Sequence, residues 1–323
     1  MTRDVIIDCD TGLDDAVALL LAIRSPELNV KGITCVNGNV GLDNVVNNTL
    51  RVVEHSGMDI PVFAGARTAL IPERSSDDAS YVHGKDGLGG IPFPAPTLKV
   101  QKMHAVDYII DTILTAEKPI DWITLGPLTN AALAILKEPR ITKNVRMLTM
   151  MAGGVNAGNV TPSAEFNVYA DPEAARVVFE SDLAKTMVPL DPLWDGGFLT
   201  PENISTIKER DDLPWCSMAS RIFERTGSLV KELGRNPVNG AGTVSPPDLL
   251  AVAVAIDPSI TRNGDFYINL ETQGEFTRGM TVIDRRVYYR IEEKPDTKKV
   301  RVALQGTQKK YARLVLDTWL KQG

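Results

Sequence analysis

Val5-Ile6-Ile7-Asp8-Cys9-Asp10-Thr11-Gly12-Leu13-Asp14-Asp15 sets a short apolar run against four carboxylates within eight residues. The run reads as a buried strand, and Gly12 ends it. Beyond it Ala16, Leu19, Leu20 and Ile23 recur at helical spacing, so a strand passes directly into a helix. Asp14 and Asp15 fall in that helix's first turn, where the macrodipole favours negative charge, with Asp10 or Thr11 as its cap. A helix start does not explain the spacing of Asp8 and Asp10. They lie at i and i+2, on one face of a strand end, where each repels its neighbours unless a cation is bound. Hard oxygen donors of this kind suit calcium or magnesium.

Outward from this segment, short apolar runs alternate with helical patterns up to about residue 190. Strands are expected at Val30–Val36, Pro61–Ala64, Trp122–Leu125, Arg146–Met151 and Thr186–Leu190. Helices are expected at Leu42–His55, Val106–Ala116, Thr129–Leu136 and Glu173–Phe179. Such alternation implies an α/β fold with an open, mostly parallel sheet and helices on both faces. Ligands then sit beyond the carboxyl ends of the strands, where the acids fall. After residue 196 the pattern weakens. Residues 225–247 hold four glycines and three prolines and read as a mobile segment. Leu249–Ile256 is a compact apolar helix, and Phe266–Arg290 a small C-terminal accessory hairpin around Gly274-Glu275. No linker or repeat divides the chain, so one domain is expected over 1–323.

The net charge of −6 argues against a nucleic-acid surface, which needs a basic face. No apolar stretch approaches the roughly 18 residues that a membrane span needs. The N-terminus shows no basic segment followed by an apolar run, so no secretory signal is expected. Cys9, Cys35 and Cys216 lack metal-ligand spacing and read as reduced thiols of a cytoplasmic protein.

Four further segments fall near strand ends. Asn39, between Gly38 and Val40, is a plain turn or an amide aimed into a site. His83 opens a Gly-rich loop, His83-Gly84-Lys85-Asp86-Gly87-Leu88-Gly89-Gly90, that lacks the setting of a phosphate loop. Alone, such a histidine is more often a surface residue. Gly126-Pro127 keeps the chain extended, which could free the Leu125 carbonyl to face a ligand, unless the segment is an ordinary turn capped by Thr129. Asn159, Glu165 and Asn167 concentrate donors and acceptors suited to sugar hydroxyls, or form a polar surface loop. Asp171-Pro172-Glu173 is a helix start with Asp as cap. A DxD after a strand also resembles haloacid dehalogenase phosphatases, but no downstream acidic pair at a strand end completes that pattern.

Taken together, Asp8-x-Asp10-Thr11-Gly12-x-Asp14-Asp15, Ala164-Glu165-Phe166-Asn167, the Asp248 segment and Thr277-Arg278-Gly279-Met280-Thr281 resemble the inosine–uridine-preferring nucleoside hydrolase family over nearly the whole chain. The resemblance implies calcium-dependent hydrolysis of ribonucleosides to base and ribose, in purine and pyrimidine salvage. It implies calcium ligation by Asp10, Asp15, Asp248 and the Leu125 carbonyl. Asp14, Asn39, Asn159, Glu165 and Asn167 would hold the ribose, with His83 near its 5′ end. Asp10 would double as general base toward a metal-bound water, and Asn39 stands with it among the catalytic candidates. A small-molecule nucleoside partner and a homo-oligomer, tetramer or dimer, are implied as well.

Two segments depart from the family. Where members carry His or Trp immediately before the last metal-binding Asp, this chain has Pro247, which donates no hydrogen bond. All three histidines, His55, His83 and His104, lie upstream. Asp191-Pro192-Leu193-Trp194-Asp195 replaces the family's usual Asp-Val-Thr. Trp194 and Phe223 are candidates to contact the base, and Arg225 or Arg235 to activate it. The alternatives are action on, or binding of, another ribosylated compound, or a non-catalytic ribose binder.

Overall fold

The computed structural model describes residues 2–74, 78–232, 234, 239–286 and 299–321. Along the chain come β1 (Arg3–Cys9), α1 (Leu13–Arg24), β2 (Leu28–Cys35), α2 (Leu42–Ser56), β3 (Val62–Ala64) and α3 (Ser80–His83). Next are α4 (Ala105–Thr115), β4 (Ile120–Thr124), α5 (Thr129–Lys137), β5 (Val145–Met151), α6 (Phe166–Ala170), α7 (Pro172–Glu180) and β6 (Lys185–Val188). The remainder is α8 (Pro201–Lys208), α9 (Pro214–Glu232), α10 (Pro247–Ile256), β7 (Thr261–Phe266), β8 (Ile268–Leu270), β9 (Thr281–Ile283), β10 (Val300–Gly306) and α11 (Gln308–Leu320).

Eight strands form one sheet in the order β3-β2-β1-β4-β5-β6-β10-β7, parallel throughout except that β7 pairs antiparallel with β10. Alternate residues of β1 face opposite sides: Val5 and Ile7 join one core with α1, α2, α9, α10 and α11, while Ile6 joins another with α4, α5 and α7. The expected sheet with helices on both faces is therefore present. α1 is buried almost all round, from Leu13 to Ile23, which marks a central helix rather than a surface one. It packs along α10, whose Leu249–Val254 are equally buried. Among the described residues no helix is long and apolar enough to cross a membrane.

Several sequence expectations shift. Residues 225–232 are not a mobile segment: they complete α9, whose apolar face covers α1 and α2. The accessory hairpin is β8 paired with β9, with Gly274-Glu275 in its connection, and residues 287–290 lie outside the described residues. Gly12, rather than Asp10 or Thr11, caps α1, and Thr129 is inside α5, its hydroxyl bonded to Asp171 at 2.7 Å. Asp171 caps α7 as read, accepting from the Ala174 N–H at 3.0 Å.

Asp8 does not pair with Asp10. β1 ends at Cys9, so the alternation that would put both on one face stops before Asp10. Asp8 instead accepts from the Thr34 hydroxyl and, at 2.8 Å, from Asn130 Nδ2. Asn130 also donates to the Cys35 carbonyl at 3.0 Å and accepts from the Ala66 N–H at 2.9 Å. One amide thus ties the carboxyl ends of β1, β2 and β3 together. Asn130→Ala should cost about 2–4 kcal/mol, because buried polar groups on three segments lose a partner. Urea unfolding checks this, and a loss below roughly 1 kcal/mol would show that the tie carries little.

Candidate active site

A cavity of about 240 Å³ opens at the carboxyl ends of β1 and β4. This is where the strand order turns, with β2 and β3 on one side of β1 and β4, β5 and β6 on the other. Its floor is acidic. The packing of α10 on α1 brings Asp248, from one first turn, against Asp14 and Asp15 from the other; one oxygen from each lies within 4.8 Å of the rest. Asp15 is held by the N–H groups of Gly12 at 2.9 Å and Asp10 at 3.2 Å and by Asn39 Nδ2 at 3.0 Å. Asp10 Oδ2 accepts from the Asn39 N–H at 2.7 Å. Its other oxygen, Oδ1, is buried without a hydrogen-bond partner, and so is Asp14 Oδ1.

Space around Asp10 is set by two glycines. A methyl group on Gly38 would overlap the carboxylate, and one on Gly126 would come 2.7 Å from Oδ1. These close approaches, each just past a strand end, are what the glycines are for.

Burial, then the charge of Asp15, pushes Asp10 well above the usual carboxylate range. Burial, then the charges of Asp14, Asp15 and Asp10, does the same to Asp248. Burial raises Asp14 to about 6 and, against three backbone hydrogen bonds, Glu165 to about 7. Among the described residues no lysine or arginine is paired with any of these acids, and none lines the cavity. The floor is a concentration of oxygen donors that protein cations leave uncompensated.

His83 is not on the surface. The Ala79 N–H bonds the Asn39 carbonyl at 3.0 Å, which pins α3 over the loop after β2 and buries the ring. His83 Nδ1 accepts from the Leu13 N–H at 3.1 Å and stands 3.8 Å from Asp14 Oδ1. Burial lowers its pKa to about 4, so the imidazole is neutral near pH 7, with the proton on Nε2.

Glu165 caps α6, accepting from the N–H groups of Gly153 at 2.8 Å, Asn167 at 2.8 Å and Val168 at 3.2 Å. Asn159 Oδ1 accepts from the Phe166 N–H at 2.9 Å. Asn167 Nδ2 donates to the Leu125 carbonyl at 2.6 Å, which engages one of that oxygen's two lone pairs, and both residues line the cavity. Asp14, Asn39, His83, Leu125, Asn159, Glu165, Asn167, Asp248 and Phe223 all line the cavity, and Asp10 and Asp15 lie buried beneath them. Trp194 does not line it. Its 3₁₀ turn, Asp191–Trp194, directs Leu193 into the core and leaves Trp194 39 % exposed. Arg225 is engaged by the Gly89 carbonyl at 2.8 Å and by Glu232, and Arg235 lies outside the described residues.

The sequence matches the inosine-uridine preferring nucleoside hydrolase family over residues 5–313. The chain belongs to this family. It is 38% identical over 320 residues to the inosine-uridine preferring nucleoside hydrolase of Crithidia fasciculata, covering 98% of this chain and 97% of that one. It is 35% identical over 296 residues to the pyrimidine-specific ribonucleoside hydrolase RihA of Photobacterium profundum, covering 91% and 92%. Among solved structures it resembles a plant nucleoside hydrolase with a TM-score of 0.90 at 28% identity, covering 100% of both chains. An inosine-guanosine nucleoside hydrolase gives a TM-score of 0.89 at 27% identity, again over 100% of both. The protein is thus an enzyme, a nucleoside hydrolase of the N-glycosyl hydrolase class.

Some of this hydrolase's site was not read from sequence. Asp191 anchors the loop after β5, accepting from the N–H groups of Val155 at 2.6 Å and Asn156 at 3.1 Å. Thr281 holds the same loop through the Gly154 carbonyl at 2.6 Å. Ile222, Thr226, Leu229 and Val230 join Phe223, which the sequence did offer, in one helical face of α9 on the cavity wall. Their spacing was visible, but the Gly- and Pro-rich stretch beyond them concealed the helix. Gly38→Ala should displace Asp10 and reduce ribose release from a nucleoside panel by roughly 10²-fold, since misplacement by about an ångström costs that much. Activity within about threefold of the parent, at an unchanged melting temperature, would mean that the close approach is not needed.

Proposed function

We propose that the enzyme hydrolyses the N-glycosidic bond of ribonucleosides to free base and ribose, with a divalent cation at the carboxylate floor. The observation that carries this reading is the convergence of Asp14, Asp15 and Asp248, with Asp10 buried beside them, in a site without a lysine or arginine partner among the described residues. The partnerless oxygens of Asp10 and Asp14 fit a cation's coordination shell. Oxygen donors alone favour calcium over the transition metals. Asp10, Asp15, Asp248 and the Leu125 carbonyl would hold it. When bound, it supplies charge compensation and makes a neighbouring water more acidic.

Asp10 accepts the proton of the water that attacks C1′. Its position is fixed by the Asn39 N–H and by the two glycines. Asp14, Asn39, Asn159, Glu165 and Asn167 surround the sugar with donors and acceptors, so that binding the hydroxyls also orients the ring. The carboxylates also stabilise positive charge as the ring takes on oxocarbenium character. Neutral His83 adds a hydrogen-bonding edge beside Asp14 at the sugar end.

Purified protein should carry about one calcium per chain, and Asp10→Ala should lose both the metal and at least roughly 10²-fold in kcat. Metal analysis that finds no divalent ion in active protein sinks the cation. A 2′-deoxynucleoside leaves buried polar groups unpaired, at a cost of about 1–3 kcal/mol, so kcat/KM for uridine should exceed that for 2′-deoxyuridine at least about tenfold. Equal values would place the carboxylate end somewhere other than at the ribose.

A further inference from the structure

The loop that follows His83 is costly to hold in one shape. In Gly84-Lys85-Asp86-Gly87-Leu88-Gly89-Gly90 four of seven residues are glycine, all with positive φ, from 67° to 83°. Glycine loses more conformational freedom on folding than any other residue, so such a loop depends on ties from outside. Its inner side has them. Asn48 of α2 is buried, and its Nδ2 donates to the Thr11 carbonyl at 3.2 Å and to the Asp86 carbonyl at 2.7 Å. A methyl group on Gly87 would come 2.7 Å from that nitrogen. Leu88 is fully buried in the core that α1 and α2 share.

The outer side is held from α9. Arg225 Nε donates to the Gly89 carbonyl at 2.8 Å, and Glu232 fixes the guanidinium at 2.7 Å. The stem of Arg225 lies against the loop as well, since a methyl group on Gly89 would come 2.6 Å from its Cγ. Gly89 is also the residue whose N–H donates to the His83 carbonyl, at 2.7 Å. One glycine therefore links Arg225 to His83. The His83 N–H bonds the Ala79 carbonyl at 3.0 Å, so the backbone of the histidine is held at both its polar groups. Its ring in turn meets the floor: Nδ1 takes the Leu13 N–H, and a methyl group on Gly12 would overlap the imidazole. A tilt of the loop thus reaches the turn that carries Asp14. Ile222, Phe223 and Thr226 line the cavity, and Arg225 of the same helix does not. Its guanidinium is spent on a carbonyl and a carboxylate, which is the setting of a brace rather than of a group that meets the base.

Resting on the ribonucleoside hydrolase reading, with His83 at the sugar, we propose that Arg225 is a positioning residue for the hydrolysis: it holds Gly89, and through Gly89 it holds His83 against the floor turn.

The test is kcat/KM of the full chain, supplied with calcium, on uridine and on 4-nitrophenyl riboside. It compares the parent, Arg225→Met, Arg225→Lys, His83→Ala and the double variant of Arg225→Met with His83→Ala. Arg225→Met keeps the stem that packs on Gly89 and deletes the donor. Rates are taken at a temperature where the unfolding curve of each variant shows it fully folded. Misplacement by about an ångström costs roughly 10²-fold, so a partial release should lower kcat/KM about tenfold on both substrates. Lysine, which keeps a donor for the Gly89 carbonyl, should recover most of that loss. With His83 already removed, Arg225→Met should cost less than about twofold, because residues that act as a unit are not additive. A loss of the same size in both backgrounds overturns the proposal, since Arg225 then acts without His83. A loss below about twofold in the parent background overturns it as well. So does a loss on uridine that spares the nitrophenyl riboside, which would make Arg225 a group that meets the base. An unchanged rate for His83→Ala overturns both the proposal and the place of His83 at the sugar, while hydrolysis stands. Ribose from neither substrate with the parent overturns the ribonucleoside reading, and the proposal with it.

Discussion

Carboxylates that must stay close together out of water are the constraint around which this enzyme is built. Raising Asp14 from 3.8 to about 6 corresponds to roughly 3 kcal/mol against its ionised form, and Asp10 and Asp248 are pushed further. The helix starts of α1 and α10 offset part of this, but a macrodipole is worth only about 0.3–1 kcal/mol per charge. Backbone donors to Asp10 and Asp15 offset more. None of these supplies a full positive charge. The proposed divalent ion would supply it, and the burial that makes the cluster costly is also what would strengthen its hold on one.

The polar and the apolar residues that line the cavity come from different parts of the fold. Strand ends and the turns they feed supply Asp14, Asn39, Asn159, Glu165 and Asn167, the last four tied by hydrogen bonds to Asp15 or to backbone. The other half is the side of one helix and the start of another. Side chains on a helix face can be exchanged without touching the sheet, so the apolar wall can change while the carboxylate floor does not.

That division also decided what was legible in the sequence. β1 to β6 announce themselves because buried parallel strands are short apolar runs between amphipathic helices. β7, Thr-Arg-Asn-Gly-Asp-Phe, is a polar edge strand with a turn-like Asn-Gly, and only its pairing with β10 makes it a strand. The acids and amides of the floor stand out because such clusters need a reason. Asp8 misled, since two carboxylates two residues apart look alike until one is seen bonded to Asn130. Gly38 and Gly126 carry no signal of their own, because their task is to leave room for a carboxylate belonging to another segment. Trp194 was attractive for its chemistry, and one 3₁₀ turn points it away.

The pairing of α1 with α10 joins the two ends of the chain's history. A polypeptide emerging from its N-terminus forms β1 through β6 before Asp248 has been made, and during that interval Asp10, Asp14 and Asp15 stand without their fourth member. The cluster closes only when α10 docks on α1, a contact of high sequence separation and hence a slow one to form. The proposed ion would clamp early chain to late chain. Its binding free energy would then be added to the opening of the whole sheet rather than of one loop, so an enzyme ready for substrate would also be one locked against unfolding.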